Sequence, residues 1–131
     1  EFGFTEVRLG VVPAIISVVC LPKMRRGEAL EAFLRGNRFP AAKAAEYGLI
    51  ARAVPADELD AAVDEVLADL RLGGPAALGF AKQLVYDVPE MAQKEAFAWA
   101  AELSQRLFKG DEAAAGMRAF LKREKPPWAE E

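Results

Sequence analysis

"NRFPAAKAAEYGLIARAVPADEL", residues 37–59, is the stretch that sets the fold class. The spacing predicts a small helix over about Pro40 to Tyr47, ended by Gly48. Leu49, Ile50, Ala51, Ala53 and Val54 then read as a short strand closed by Pro55. A helix and a strand in such quick succession indicate an α/β core.

Toward the N-terminus the alternation continues. In "EFGFTEVRLGVVPA", residues 1–14, apolar Phe2, Phe4, Val7, Leu9 and Val11 roughly alternate with other residues, and Gly3 and Gly10 punctuate them. Short extended segments joined by tight turns are expected there. Pro13 suits the first position of a helix, so Ala14 to Leu21 should form a short buried helix stopped by Pro22. A further helix covers Arg26 to Leu34 and ends at Gly36.

Toward the C-terminus the character changes. Asp57 is placed to cap a helix in which Leu59, Ala62, Val63, Val66, Leu67 and Leu70 recur at helical spacing as far as Gly73 and Gly74. A second helix runs from Pro75 to about Tyr86, and a third from near Pro89 to Gly110. A fourth, opened by Asp111, fades at Pro126 and Pro127. Their wide apolar stripes need more surface than these helices offer one another, so a preceding segment or a neighbouring subunit must supply it. The chain lacks an initiating Met, its first being Met24, and enters at once on apolar sequence. It therefore reads as the C-terminal piece of a longer protein.

Composition excludes several kinds of chemistry. With no His, the chain holds no His-based triad, His-ligated zinc or imidazole proton shuttle. A single cysteine, Cys20, permits no intrachain disulfide and fits a reducing compartment. A net charge of −3 gives no field that would attract nucleic acid or a membrane surface. The longest apolar stretch, Val11 to Leu21, is flanked by Arg8, Lys23 and Arg25, so no membrane span or leader is read. The expected setting is cytoplasmic or an organelle matrix. No metal-ligand cluster or Gly-rich phosphate loop is present, and neither Ser17, Ser104 nor Cys20 has a base beside it.

Glu6 is the residue out of keeping with its surroundings: a lone acid among apolar neighbours, just before a Gly and a Pro. It can be an exposed edge residue paired with Arg8, or the working acid of an active site. Spacing alone favours the pair. Three longer blocks bear on the choice: "FGFTEVRLGVVPA", "FLRGNRFPAAKAAEYGLIARAVPADEL" and "GMRAFLKREKPPW". Together, in order and at the right spacing, they resemble the C-terminal half of the crotonase, or enoyl-CoA hydratase/isomerase, family. The first departs from the family's FG-x-PE pattern by Thr5 in place of Pro, and the last scrambles its usual EKRK order.

The resemblance implies an α/β fold: the C-terminal part of a ββα spiral followed by an α-helical trimerisation region, the segment itself being mostly helical. Residues 1–66 would be the end of the spiral, carrying the active-site Glu, and residues 67–131 the oligomerisation helices. The implied chemistry is water addition across the 2,3 double bond of a 2-enoyl-CoA, through a thioester enolate held by two backbone N–H donors. Isomerisation on the same scaffold, or a non-catalytic oligomerising homologue, are the alternatives.

Glu6 falls on the family's catalytic glutamate, and this register reverses the preference in favour of catalysis. Such an acid must exchange a proton near neutral pH, a range into which an apolar flank brings a carboxylic acid. Phe4, Val7, Val11 and Val12 form that flank. The family pattern suggests that the Ala14 N–H helps hold the water. It also suggests that Phe120 lines the entrance while Lys122, Arg123 or Lys125 meet CoA phosphates. CoA would be part of the substrate, with no separate cofactor and no metal. The protein would be a homotrimer or a dimer of trimers, with neither nucleic acid nor membrane as a partner. The oxyanion donors and a second carboxylate would lie upstream, leaving this segment inactive alone. Trp128 reads as an anchor for the tail, and Glu28, Glu31, Glu46 and the acids from Asp57 to Asp69 as solvated helix faces.

Overall fold

A computed structural model describes residues 1–129, which divide after Leu59 into two compact units. In the first, β1 (Phe2–Gly3) pairs antiparallel with β2 (Arg38–Phe39), Phe2 opposite Phe39 and Gly3 opposite Arg38. Between these strands run a 3₁₀ turn (Thr5–Leu9), α1 (Ala14–Cys20), a 3₁₀ turn (Leu21–Lys23) and α2 (Arg26–Arg35). After β2 comes α3 (Ala41–Glu46). The core gathers Phe4, Cys20, Met24, Ala29, Ala32, Phe39, Ala44 and Tyr47, with Phe2, Phe33, Leu49 and Ile50 packed against it. Its centre is aromatic: the Phe4 ring stacks on Phe33 at 4.1 Å, and Phe39 meets the edge of Tyr47 at 5.2 Å. Small Ala32 and Ala44, almost fully buried, let α2 and α3 approach these rings closely.

Several expectations hold and others change. Helices are found near the predicted places, with Gly36 ending α2 and Gly48 following α3. Gly48 has φ +82°, and a Cβ there would lie 2.7 Å from the Lys23 carbonyl oxygen, so both conformation and space select glycine. The strand expected over Leu49 to Val54 is absent. The N–H groups of Leu49 and Ile50 turn back to the Ala44 carbonyl, at 3.0 and 3.5 Å, and close the end of α3 instead of joining a ladder. The extended backbone expected around Glu6 is a 3₁₀ turn, whose three-residue period carries buried Phe4 and half-buried Val7 toward one side. The predicted burial of α1 also fails: Cys20 is buried, but Ile15 is 91% exposed and Val18 73%. An apolar helix face is buried only where something covers it, and this unit closes its core on the opposite side of the helix.

The second unit contains α4 (Leu59–Arg71, its first residue shared with the boundary), α5 (Pro75–Asp87), α6 (Gln93–Phe108) and α7 (Asp111–Lys122). Asp57 lies inside a 3₁₀ turn (Ala56–Glu58) that leads into α4 rather than capping it, because the helical run starts one residue later than predicted. Pro89 likewise sits in a 3₁₀ turn (Val88–Glu90), and α6 starts at Gln93. Leu103 and Ala119 are the only buried hydrophobic side chains among the described residues of this unit. The predicted stripe of α4 is present but open, with Val63, Val66, Leu67 and Leu70 all exposed.

Polar links fasten these helices. The Glu112 carboxylate on α7 accepts the N–H groups of Ala76 and Ala77 at 3.0 and 2.9 Å, capping α5, whose own cap position, Gly74, has no side chain to do so. The indole Nε1–H of Trp128 donates to the Leu72 carbonyl at 3.1 Å, and its ring lies against Gly116. Trp128 is thus the tail anchor that the sequence suggested.

Candidate active site

Glu6 is set by the turn that carries it. Phe4, two residues before, is pinned in the aromatic core. After it, the N–H of Gly10 donates to the Val7 carbonyl at 3.2 Å, and that of Val11 to the Glu6 carbonyl at 3.3 Å. The chain is thereby closed on both sides of the acid. The Glu6 side chain is half-buried, and its Oε2 is shielded from solvent with no hydrogen-bond partner. Leaving such an oxygen unmatched costs roughly 1–3 kcal/mol, more when it is charged. A buried polar atom without a partner calls for an explanation, and a catalytic role is one.

The ion pair with Arg8 does not form. The Arg8 guanidinium turns away and donates to the Arg35 carbonyl at the end of α2, from Nε at 3.4 Å and Nη2 at 3.3 Å. Glu6 instead borders a cleft of about 530 Å³ whose other walls are Val12, Pro13, Ala14, Ile15, Ile16 and Val19. The acid is the one ionisable side chain in this lining. A carboxyl group bordering an apolar cleft can give a proton to an enolate carbon lodged there, or as the carboxylate take one from a carbon acid, with little water competing for it.

Ala14, the second residue expected at the site, lies in the same cleft wall. Its N–H is already engaged, donating to the Val12 carbonyl at 2.8 Å across Pro13, whose φ of −76° and ψ of 59° make an inverse γ-turn. Phe120, Lys122, Arg123 and Lys125 belong to the second unit, at the end of α7 and just beyond it, and all are exposed. Arg123 caps α7 in the left-handed conformation at φ 59°, a position that usually holds glycine.

Among the described residues no group of three or more acids or Cys is placed to hold a metal ion. No described helix is long and apolar enough to cross a membrane. A second cavity, about 550 Å³, lies in the second unit beside Arg106, Phe108, Glu112 and Trp128. Two carboxylates line it, Asp111 and Glu112, and Glu112 is committed to capping α5. Sequence reasoning passed over Glu112, because its partners lie 35 and 36 residues away and no local pattern announces them.

The architecture defines the class: this is a crotonase-fold segment with a shielded acid on an apolar cleft. A crystal structure of an enoyl-CoA hydratase/isomerase from Marinobacter aquaeolei superposes with a TM-score of 0.88 at 31% identity, over 98% of this chain and 49% of that one. A probable enoyl-CoA hydratase of Rhizobium meliloti is 31% identical over 129 residues, 95% of this chain and 49% of the relative. Another, from Mycobacterium tuberculosis, is 28% identical over 127 residues, 96% of this chain and 49% of the relative. The chain thus spans about half the length of the curated relatives it matches. All of residues 1–131 match the enoyl-CoA hydratase/isomerase family, and the chain belongs to it.

Proposed function

We propose that this chain carries the catalytic acid of an enoyl-CoA hydratase, which adds water across the 2,3 double bond of a 2-enoyl-CoA thioester. Water oxygen bonds to C3 as its proton passes to a second carboxylate, the thioester carbonyl takes up charge as an enolate, and protonated Glu6 delivers its proton to C2 as the carbonyl re-forms. One observation carries this reading: Glu6 borders an apolar cleft with its Oε2 shielded and unpartnered, instead of being paired with Arg8. The names of the relatives support the same reaction.

In this reading the oxyanion donors and a second carboxylate lie outside these 131 residues. The segment alone is then inactive. Ala14 would reach a substrate water only by sharing the N–H it now gives to Val12. Exposed Phe120, Lys122, Arg123 and Lys125 would receive the CoA moiety, the cations meeting its phosphates. The open apolar stripes of the second unit would be covered in a homotrimer or dimer of trimers. CoA enters as part of the substrate, and no separate cofactor takes part.

The test is Glu6→Gln in the full-length protein, assayed for crotonyl-CoA hydration. Removal of a positioned proton donor should lower turnover by roughly 10²- to 10⁴-fold, with the fold retained by circular dichroism. Wild-type turnover in that variant would reject the catalytic assignment. Conversion of a 3-enoyl-CoA, with crotonyl-CoA left unhydrated, would assign the acid to isomerisation instead.

A further inference from the structure

The aim of Glu6 depends on how its turn is held, and the turn rests on the C-terminal end of α2. Three contacts seat it. Phe4 stacks on Phe33 of that helix. Val7 lies over Gly36, where a Cβ would come within 2.6 Å of its Cγ2, and φ of +55° already favours glycine. Arg8 reaches across with two N–H groups to the Arg35 carbonyl. The last carbonyls of a helix lack intrahelical donors and carry the negative end of its dipole, so a guanidinium is well matched to them. Glu6 lies between two of these anchors.

We propose that Arg8 is a positioning residue for Glu6: its fork on the Arg35 carbonyl holds the turn against α2 and keeps the Glu6 side chain at the border of the cleft. The commitment has a second effect. An unattached guanidinium two residues away could fold back onto the carboxylate in a charge-assisted bond and take it out of use. Fixed to α2, it leaves the acid unpartnered. This inference rests on the catalytic reading of Glu6.

The experiment compares Arg8→Met, which keeps an apolar stem without donors, and Arg8→Lys, which keeps one cationic donor group, with Glu6→Gln in the full-length protein. It reads kcat and KM for crotonyl-CoA hydration, Tm, and hydrogen exchange at the Gly10 and Val11 amides that close the turn. Arg8→Met should lower kcat by about 10- to 10²-fold, as expected for a displaced catalytic group, with KM nearly unchanged. Exchange at Gly10 and Val11 should quicken while α2 stays protected. Arg8→Lys should recover part of both effects. Wild-type exchange at these amides, wild-type kcat, or a loss of activity that merely follows a fall in Tm would overturn the proposal. Should Glu6→Gln itself keep wild-type turnover, the catalytic reading fails and this one with it. A disabled Glu6→Gln beside an unaffected Arg8→Met rejects the positioning role alone.

Discussion

The two units solve the same problem in opposite ways. The first, Glu1–Leu59, closes eight buried side chains around stacked aromatic rings, although its regular strands are only two residues long. The second has longer helices but buries just two hydrophobic side chains, Leu103 and Ala119, among its described residues. It is fastened instead by Glu112 on α5 and by Trp128 on the Leu72 carbonyl. Secondary structure is therefore a poor guide to where stability lies. Packed rings hold the acid of the first unit in place, while the second presents open apolar stripes and an exposed basic tail.

Substitutions can break or sharpen that contrast. Phe39→Ala should have the largest effect on stability, because it empties the centre of the aromatic cluster; about 3–5 kcal/mol should be lost, measured by urea denaturation. Leu103→Ala in the second unit should cost about 2–3 kcal/mol, the lower part of the range for a buried leucine, because exposed neighbours can relax around it. Equal losses at the two sites would erase the distinction between the units. Glu112→Ala should cost about 1 kcal/mol, a typical loss for a helix cap, with faster exchange at Ala76 and Ala77 and no change around Glu6. Arg123→Gly should act in the other direction, raising stability by about 0.5–1 kcal/mol by relieving a left-handed residue. The same change should weaken CoA binding if the tail meets its phosphates. Opposite signs in a thermal melt and a binding titration would separate the two roles.

The smallest effect is expected at Lys43, on the solvent side of the first unit. Its hydrogen bond and charge attraction to Glu46 raise its pKa above the usual lysine value. A raised folded-state pKa gives stability below the unfolded value that is lost as pH climbs through the folded one, so any effect belongs to alkaline pH. Lys43→Met should leave neutral-pH stability unchanged within error, as is usual for exposed pairs.

Local patterns announced most of the helices and the family register of Glu6. Gly36 and Gly48 could be read because helix ends carry their own chemical punctuation. The strand expected at Leu49–Val54 could not be corrected from sequence, because its apolar content is equally suited to covering the end of α3. Pairing of Phe2 with Phe39 joins residues far apart in the chain, and neither one signals the other. The same holds at the candidate site. Glu6 stood out by composition, but whether Arg8 would bond to it or to a distant carbonyl depended on where α2 ended in space. Apolar periodicity in α1 was visible, yet periodicity cannot say whether a face is covered.

The γ-turn at Pro13 has a consequence for how the cleft meets a guest. A pyrrolidine ring restricts rotation at this bend before anything arrives, so little backbone entropy remains to be surrendered there on occupancy. Alanine in its place would leave the wall wandering among conformations, and docking would have to select the right one. Under the proposed function, such a protein should bind crotonyl-CoA more loosely yet convert it at an undiminished rate once saturated.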